Sequence, residues 1–127
     1  MTKASDDRAE WLRKMDPPDR TRLLAAMSDR QRRSLECHWH LWAHPGQLPP
    51  TGEWQTWLIL AGRGFGKTRA GAEWVRAIAQ TNPAARIALV GATLAEARSV
   101  MVEGESGLLA IAPRGQRPRF EPSRRLL

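Results

Sequence analysis

A glycine-rich stretch that ends in Lys-Thr is the part of this sequence best suited to chemistry. It reads Ala61-Gly-Arg-Gly-Phe-Gly-Lys-Thr68 and follows an apolar run that begins at Trp57. Closely spaced glycines let the backbone take positive φ and approach an anion. The N–H groups of such a loop, and of a helix that follows it, attract phosphate. The spacing therefore predicts a P-loop that binds ATP together with Mg²⁺.

Two residues of this loop have separate predicted roles. Lys67 would reach the β- and γ-phosphates as a point charge, and the Thr68 hydroxyl would bind Mg²⁺. The first position of the common pattern is glycine, whereas here it is Ala61, so the match is to a variant loop. The predicted nucleotide-binding residues are Ala61, Gly62, Arg63, Gly64, Phe65, Gly66, Lys67 and Thr68. A chance glycine-rich turn is the alternative, and the elements on both sides of the loop disfavour it.

Those elements predict an α/β fold. Trp57–Leu60 reads as a buried strand before the loop, and apolar residues at helical spacing predict a helix from Lys67 to about Ala79. Asn82-Pro83 would stop this helix, and residues 86–91 read as a second buried strand. Strand, helix and strand together have the length of a βαβ crossover. We therefore expect a partial P-loop NTPase with a parallel sheet, helices on both faces, and an α-helical N-terminal extension.

The residues around the loop resemble a known family. Gly62-Arg-Gly-Phe-Gly-Lys-Thr-Arg-Ala-Gly-Ala-Glu-Trp74 is similar to the variant P-loop of terminase large subunits, the ATPase–nuclease motors of tailed phages, prophages and gene transfer agents. Residues 90–107 are similar to the segment after the second ATPase strand of that family. The resemblance covers about Trp39 to the C-terminus. It implies the N-terminal ATPase region of a DNA-packaging motor, with double-stranded DNA, the terminase small subunit and the portal protein as partners, and ring assembly on the portal.

The resemblance also implies roles for single residues. Arg63 stands where such loops carry an arginine that contacts the γ-phosphate and couples its loss to movement, which makes Arg63 and Lys67 the catalytic candidates. The family has a glutamine upstream of the loop that reads adenine, and either Gln47 or Gln55 could match it. Trp54 and Trp57 flank the start of the predicted strand and could line the adenine pocket.

Acidic residues for ATP hydrolysis are missing from the expected places. Such an ATPase needs an aspartate that binds Mg²⁺ and a glutamate that orients the attacking water, but the last aspartate is Asp29, before the loop. Residues 100–103 could be a degenerate Walker B strand. The capping-box pattern of Thr93 and Glu96 instead favours a helix from Leu94 to about Val102. We expect ATP binding without efficient hydrolysis, in a chain truncated before the catalytic half and the nuclease domain.

Two other functions fit parts of the sequence. A small P-loop kinase would use the basic C-terminal residues as a lid, although the residues after the loop argue against it. A non-catalytic basic module would bind DNA or a protein partner and keep only a vestigial loop. Phosphoryl transfer to a metabolite without DNA stimulation would favour the kinase. DNA binding that ignores nucleotide would favour the module.

Helices are predicted for the N-terminal third. Ser5 can cap a first helix through Met15, and Pro18 can start a second through Met27. The capping box of Ser28 and Gln31 would begin a third helix that runs to about Ala43. Its apolar stripe would consist of Leu35, Trp39 and Trp42.

A metal site is the alternative role for this last helix. Cys37, His38, His40 and His44 lie close together in sequence. Zinc requires three or four convergent ligands, and no ligand pair elsewhere would complete the site. We therefore favour a tryptophan- and histidine-rich helix that packs on the ATPase core.

Charge and composition divide the chain further. The predicted divisions are a helical segment at 1–45, a linker at 46–56, an incomplete NTPase core at 57–112 and a basic Pro/Arg-rich tail at 113–127. The net charge is +7, and the tail holds five arginines against one glutamate, a net of +4. The tail could contact DNA phosphates, but a proline-rich basic run is more often a solvated loop.

The cellular compartment is predicted from features that the sequence lacks. The single cysteine excludes an intramolecular disulfide. The first residues are polar, unlike a signal peptide, and no apolar run approaches the length of a membrane span. We expect a cytoplasmic protein of a bacterial host cell that does not contact membranes.

Overall fold

The computed structural model describes residues 11–12 and 14–127, and the chain divides into two units, Met1–Pro45 and Gly46–Leu127. The predicted cap at Ser5 and the start of its helix lie outside the described residues. Trp11, Leu12 and Lys14 have helical backbone.

Three helices follow in the first unit: α1 at Pro17–Ala26, α2 at Asp29–Glu36 and α3 at Trp39–Trp42. The first has prolines at its first two positions, where a missing N–H costs nothing. The second begins with the predicted capping box. The Ser28 N–H donates to Gln31 Oε1 at 2.9 Å, and the Gln31 N–H donates to Ser28 Oγ at 3.4 Å. A 3₁₀ turn at Pro45–Gln47 includes the last residue of the first unit and the first two of the second.

The predicted continuous helix from Ser28 to Ala43 is wrong, because α2 ends at Glu36. Side chains occupy the carbonyls at its C-terminal end. His38 Nδ1 lies 2.7 Å from the Ser34 carbonyl oxygen, and Trp42 Nε1 donates to the Leu35 carbonyl at 2.9 Å. The stripe expected on one helix is therefore divided between α2 and α3.

The second unit contains α4 at Lys67–Thr81, α5 at Leu94–Glu96, a π-helix at Ala97–Val102 and α6 at Leu108–Ile111. Helix α4 packs against α6 and the π-helix. Its small buried core consists of Ala72, Leu108 and Ile111, with Val75 and Leu89 packed against them. The predicted start of α5 is confirmed, since the Glu96 N–H donates to Thr93 Oγ at 3.0 Å.

The predicted α/β fold is wrong. Among residues 11–12 and 14–127 no β-strand or sheet forms, and the β pairing consists of one isolated antiparallel bridge between Glu121 and Leu126. The two predicted strands, 57–60 and 86–91, form no ladder with each other. Half-buried and exposed residues alternate along each of them, as in extended backbone. The parallel sheet with helices on both faces is therefore replaced by a helical unit with extended segments.

The predicted sheet is absent because the apolar sequence favours strand-like backbone locally, whereas a sheet also requires a neighbouring strand. Here each extended segment buries one side only. Leu89 packs on the helical core, whereas Leu60 and Val90 remain 85% and 80% exposed.

Candidate functional site

The glycine-rich loop connects the first extended segment to α4. Gly64 and Gly66 have φ values of 81° and 87°, in the left-handed region, as the spacing predicts. Gly66 is also the N-cap of α4, and its carbonyl accepts the first helical hydrogen bond, from the Ala70 N–H at 2.9 Å. Gly62 does not share this conformation, and a Cβ there would meet no atom within 4 Å. The loop's shape therefore depends on its second and third glycines.

The Lys67 side chain folds back over the loop. Its Nζ donates to the carbonyl oxygens of Ala61 and Gly62, at 2.8 Å in each case. An α-helix leaves its first N–H groups without intrahelical partners, and its dipole is positive at that end. The ammonium and the N-terminus of α4 thus bring positive charge to one loop, an arrangement suited to an anion.

Gln47 is the upstream glutamine that reaches the loop. Its Nε2 donates to the Phe65 carbonyl oxygen and lies 2.6 Å from the position that a Cβ on Gly66 would take. Gln55, the other candidate, is exposed. The structure therefore brings Gln47, and not Gln55, into contact with the predicted nucleotide-binding residues.

The remaining predicted residues lie along the same loop. Arg63 is exposed at its turn, and Thr68 is half-buried in the first turn of α4. Trp54 and Trp57 pack with Trp74 of α4, with ring centroids 6.1–6.4 Å apart. A role for these indoles at an adenine pocket stays a prediction.

A buried ion-pair group on α4 was not predicted. The Glu73 side chain is only 2% exposed; Arg69 Nη2 lies 2.7 Å from its Oε1, and Arg76 Nε lies 3.2 Å from its Oε2. Arginines four residues before and three residues after a glutamate share its helix face, so the spacing held the signal. The group holds one carboxylate and two guanidinium groups together on α4, the helix that begins at the loop.

The segment considered for a Walker B strand is helical. Glu103 follows the π-helix, and its carboxylate accepts two hydrogen bonds from Arg98, each 2.9 Å long. These hydrogen bonds lower the pKa of the Glu103 carboxyl below its ordinary value. Desolvation opposes them in part, and attraction to the Arg98 charge adds the smallest contribution. The interpretation of residues 100–103 as a degenerate Walker B strand is therefore wrong.

The cysteine and histidines that were weighed as zinc ligands do not converge. Within the described part of the chain, no three His, Cys, Asp or Glu side chains lie close enough together to hold a metal ion. His38 instead directs its ring nitrogen to a backbone carbonyl, which closes the end of α2.

Comparison with protein families identifies the class of this chain. Residues 58–127 match the family model described as "Terminase large subunit, T4likevirus-type, N-terminal". The match spans more than half of the sequence, and the chain belongs to the terminase large-subunit family. The predicted resemblance is thus confirmed. Family membership associates the chain with phage DNA packaging, and with DNA and packaging proteins in general as partners.

Two further comparisons found nothing similar, since neither curated proteins nor solved structures match the sequence. Among the described residues, no helix combines the length and apolar character needed to cross a membrane.

Proposed function

We propose that the loop at residues 61–68 binds Mg²⁺-ATP, and that this chain is the ATP-binding part of a motor that packages DNA into phage capsids. The observation that carries the proposal is the position of Lys67. Its ammonium is held across the loop at the start of a 15-residue helix whose N-cap, Gly66, is left-handed. A cation and a helix N-terminus on one glycine-rich loop fit the chemistry of a triphosphate.

In this proposal, each of several residues at the loop would contact a different part of the bound nucleotide. Lys67 would exchange the carbonyls of Ala61 and Gly62 for oxygens of the β- and γ-phosphates. Thr68 would supply a hydroxyl to Mg²⁺, which neutralises phosphate charge when bound. Arg63, exposed at the turn, would contact the γ-phosphate. Gln47 is favoured over Gln55 for adenine because it lies against the loop.

Efficient hydrolysis does not belong to the proposal. It requires a carboxylate for the metal and another that orients water. Glu73 is buried between two arginines, and Glu103 is bound to Arg98. Both carboxylates are thus already engaged by arginines. We propose that the chain binds ATP and releases phosphate inefficiently.

Calorimetry with Mg²⁺-ATP tests this proposal. Lys67→Ala should weaken binding by at least about 10-fold, the value of a lost hydrogen bond to a charged group. Arg86→Ala is the matched control, because it removes one positive charge from an exposed position on an extended segment. The Arg86→Ala variant should bind Mg²⁺-ATP as tightly as the unchanged protein. Phosphate release by the unchanged protein, measured in parallel, should stay near background.

Two results would contradict the proposal. Equal affinities for the Lys67→Ala variant and the unchanged protein would exclude the loop as the site. Sustained phosphate release that depends on Lys67 would refute binding without efficient hydrolysis.

A further inference from the structure

The C-terminal residues 113–127, here called the basic segment, concentrate the positive charge of the chain. They contain five arginines and one glutamate, and so account for +4 of the net charge of +7. All five arginines, Arg114, Arg117, Arg119, Arg124 and Arg125, are exposed. The sequence alone favoured a solvated loop for this segment.

The structure attaches the first half of the basic segment to two helices. The Gln116 N–H donates to the Pro113 carbonyl at 3.0 Å and closes a turn. The Gln116 side chain accepts a hydrogen bond from Gln80, near the end of α4, at 3.3 Å. Phe120 lies against the Arg98 guanidinium of the π-helix, 5.6 Å from ring centroid to Cζ. These contacts attach the segment to α4 and the π-helix.

The second half forms a closed turn. Glu121 and Leu126 exchange two backbone hydrogen bonds, of 2.8 and 3.4 Å. Arg125 within this turn has a φ of 54°, in the left-handed region that side chains other than glycine rarely adopt. Such backbone is found more often where a function constrains the chain.

Glu121 provides the side-chain carboxylate of this segment, and its contacts reach two of the five arginines. Glu121 lies 3.7 Å from Arg119 and 3.4 Å from Arg124. Within the described residues, Arg114, Arg117 and Arg125 have no carboxylate partner. Their guanidinium groups therefore remain available to a polyanion in solution.

We propose that the basic segment is a contact surface for the phosphate backbone of duplex DNA, without sequence specificity. Guanidinium groups bind phosphate oxygens through paired hydrogen bonds, and duplex DNA presents such charges densely along its axis. A surface already held in place loses less entropy on binding than a flexible tail. Duplex DNA, rather than RNA, fits the membership of this chain in a DNA-packaging family.

This inference is independent of the proposed ATP site. No residue of the basic segment contributes to the loop at 61–68, so DNA binding should not require nucleotide. Lys67→Ala should leave the affinity for DNA and its salt dependence unchanged. Failure of one proposal would therefore be distinguishable from failure of the other.

Fluorescence anisotropy with a labelled 25-base-pair duplex of mixed sequence, repeated from 50 to 200 mM NaCl, tests the inference. Each phosphate contact contributes about 0.9 to the slope of log affinity against log salt, so the three unpaired arginines contribute about 2.7. Over this fourfold range of salt, they should account for about 40-fold of the loss of affinity. The triple variant Arg114→Gln, Arg117→Gln, Arg125→Gln should lack that part of the salt dependence.

Two further variants control for net charge and folding. The triple variant Arg20→Gln, Arg22→Gln, Arg30→Gln removes the same charge from α1 and α2, and should keep the slope. Replacement of Arg114, Arg117 and Arg125 by lysine keeps the charge and should also retain most of the slope. Circular dichroism checks that each variant has the helix content of the unchanged protein.

Three outcomes would overturn the inference. Equal losses in the two glutamine triple variants would mean that only net charge matters. If the triple glutamine variant of the basic segment keeps its helix content and binds DNA with unchanged affinity, the DNA-binding surface lies elsewhere. Tail-dependent binding to duplex RNA that is tighter than binding to duplex DNA would assign the surface to another nucleic acid.

Discussion

Gly66 combines two constraints on the shape of the loop. Its φ of 87° lies in the left-handed region, and a Cβ at this position would stand 2.6 Å from Gln47 Nε2. The backbone constraint is the more expensive, because the amide of Gln47 is the end of a flexible side chain that can shift. Gly62, earlier in the same loop, has neither constraint.

We expect Gly66→Ala to destabilise the protein by about 1–2 kcal/mol, because alanine is strained at positive φ. The variant should also weaken Mg²⁺-ATP binding, since it distorts the first turn of α4. Urea unfolding and calorimetry measure the two effects.

The matched control for this substitution is Gly62→Ala, expected to change stability by less than about 0.5 kcal/mol. Adding Gln47→Ala to Gly66→Ala should recover only the smaller, steric part of the loss. A Gly66→Ala variant as stable as the Gly62→Ala variant would refute the left-handed requirement.

At the scale of elements, α4 owes part of its stability to a charge group on its inner side. Glu73 is buried, whereas Arg69 and Arg76 keep 31% and 20% of their side-chain surface exposed. Removal of one partner from a fully buried ion pair costs about 3–5 kcal/mol. The partial exposure of both arginines reduces that cost, because water can solvate the guanidinium groups left behind.

We therefore expect Glu73→Ala to lower the free energy of unfolding by about 2 kcal/mol. This value is below the cost for a fully buried pair because both arginines are partly exposed to water. Thermal or urea unfolding measures the change. The matched control is Glu105→Ala, at an exposed position, with an expected change below about 0.5 kcal/mol. Equal effects of the two substitutions would mean that the ion-pair group does not stabilise α4.

The π-helix closes with an ion pair that also depends on pH. The Glu103 N–H donates to the Arg98 carbonyl at 2.9 Å, and the two side chains form a bidentate pair. A carboxyl whose pKa is lowered in the folded state adds stability above its ordinary pKa. That contribution is lost as the pH falls through the folded value.

An NMR titration of the Glu103 side-chain carboxyl should accordingly give a pKa below the ordinary glutamate value. Arg98→Gln should return the pKa toward that value, because the hydrogen bonds from the guanidinium are the largest cause of the shift. The control Arg86→Gln should leave the Glu103 pKa where it is. An unshifted pKa in the unchanged protein would show that the pair does not persist in solution.

At the scale of the whole molecule, positive charge and apolar surface are distributed unevenly. The basic segment holds most of the net charge, whereas the extended segments of the same unit expose apolar side chains, including Leu58 at 72% and Leu60 at 85%. Proteins commonly expose single apolar residues, but neighbouring ones are less usual. The same apolar runs led the sequence to predict buried strands, although only one side of each segment is covered in the structure.

Features determined by a few neighbouring residues were predictable from the sequence. The capping box at Ser28, the cap at Thr93, and α4 from Lys67 each depend on hydrogen bonds between residues three or four apart. The left-handed glycines follow from the loop's own spacing. The terminase family was predictable as well, because its motif is contiguous in the chain.

The tertiary structure alone decided which distant groups meet. It chose Gln47 over Gln55 at the loop and placed the basic segment against α4 and the π-helix. It also replaced the predicted sheet with two extended segments that form no ladder. Each of these outcomes depends on contacts between parts of the chain whose approach no local pattern encodes, since strand pairing and side-chain capture gain free energy only when the partner is within reach.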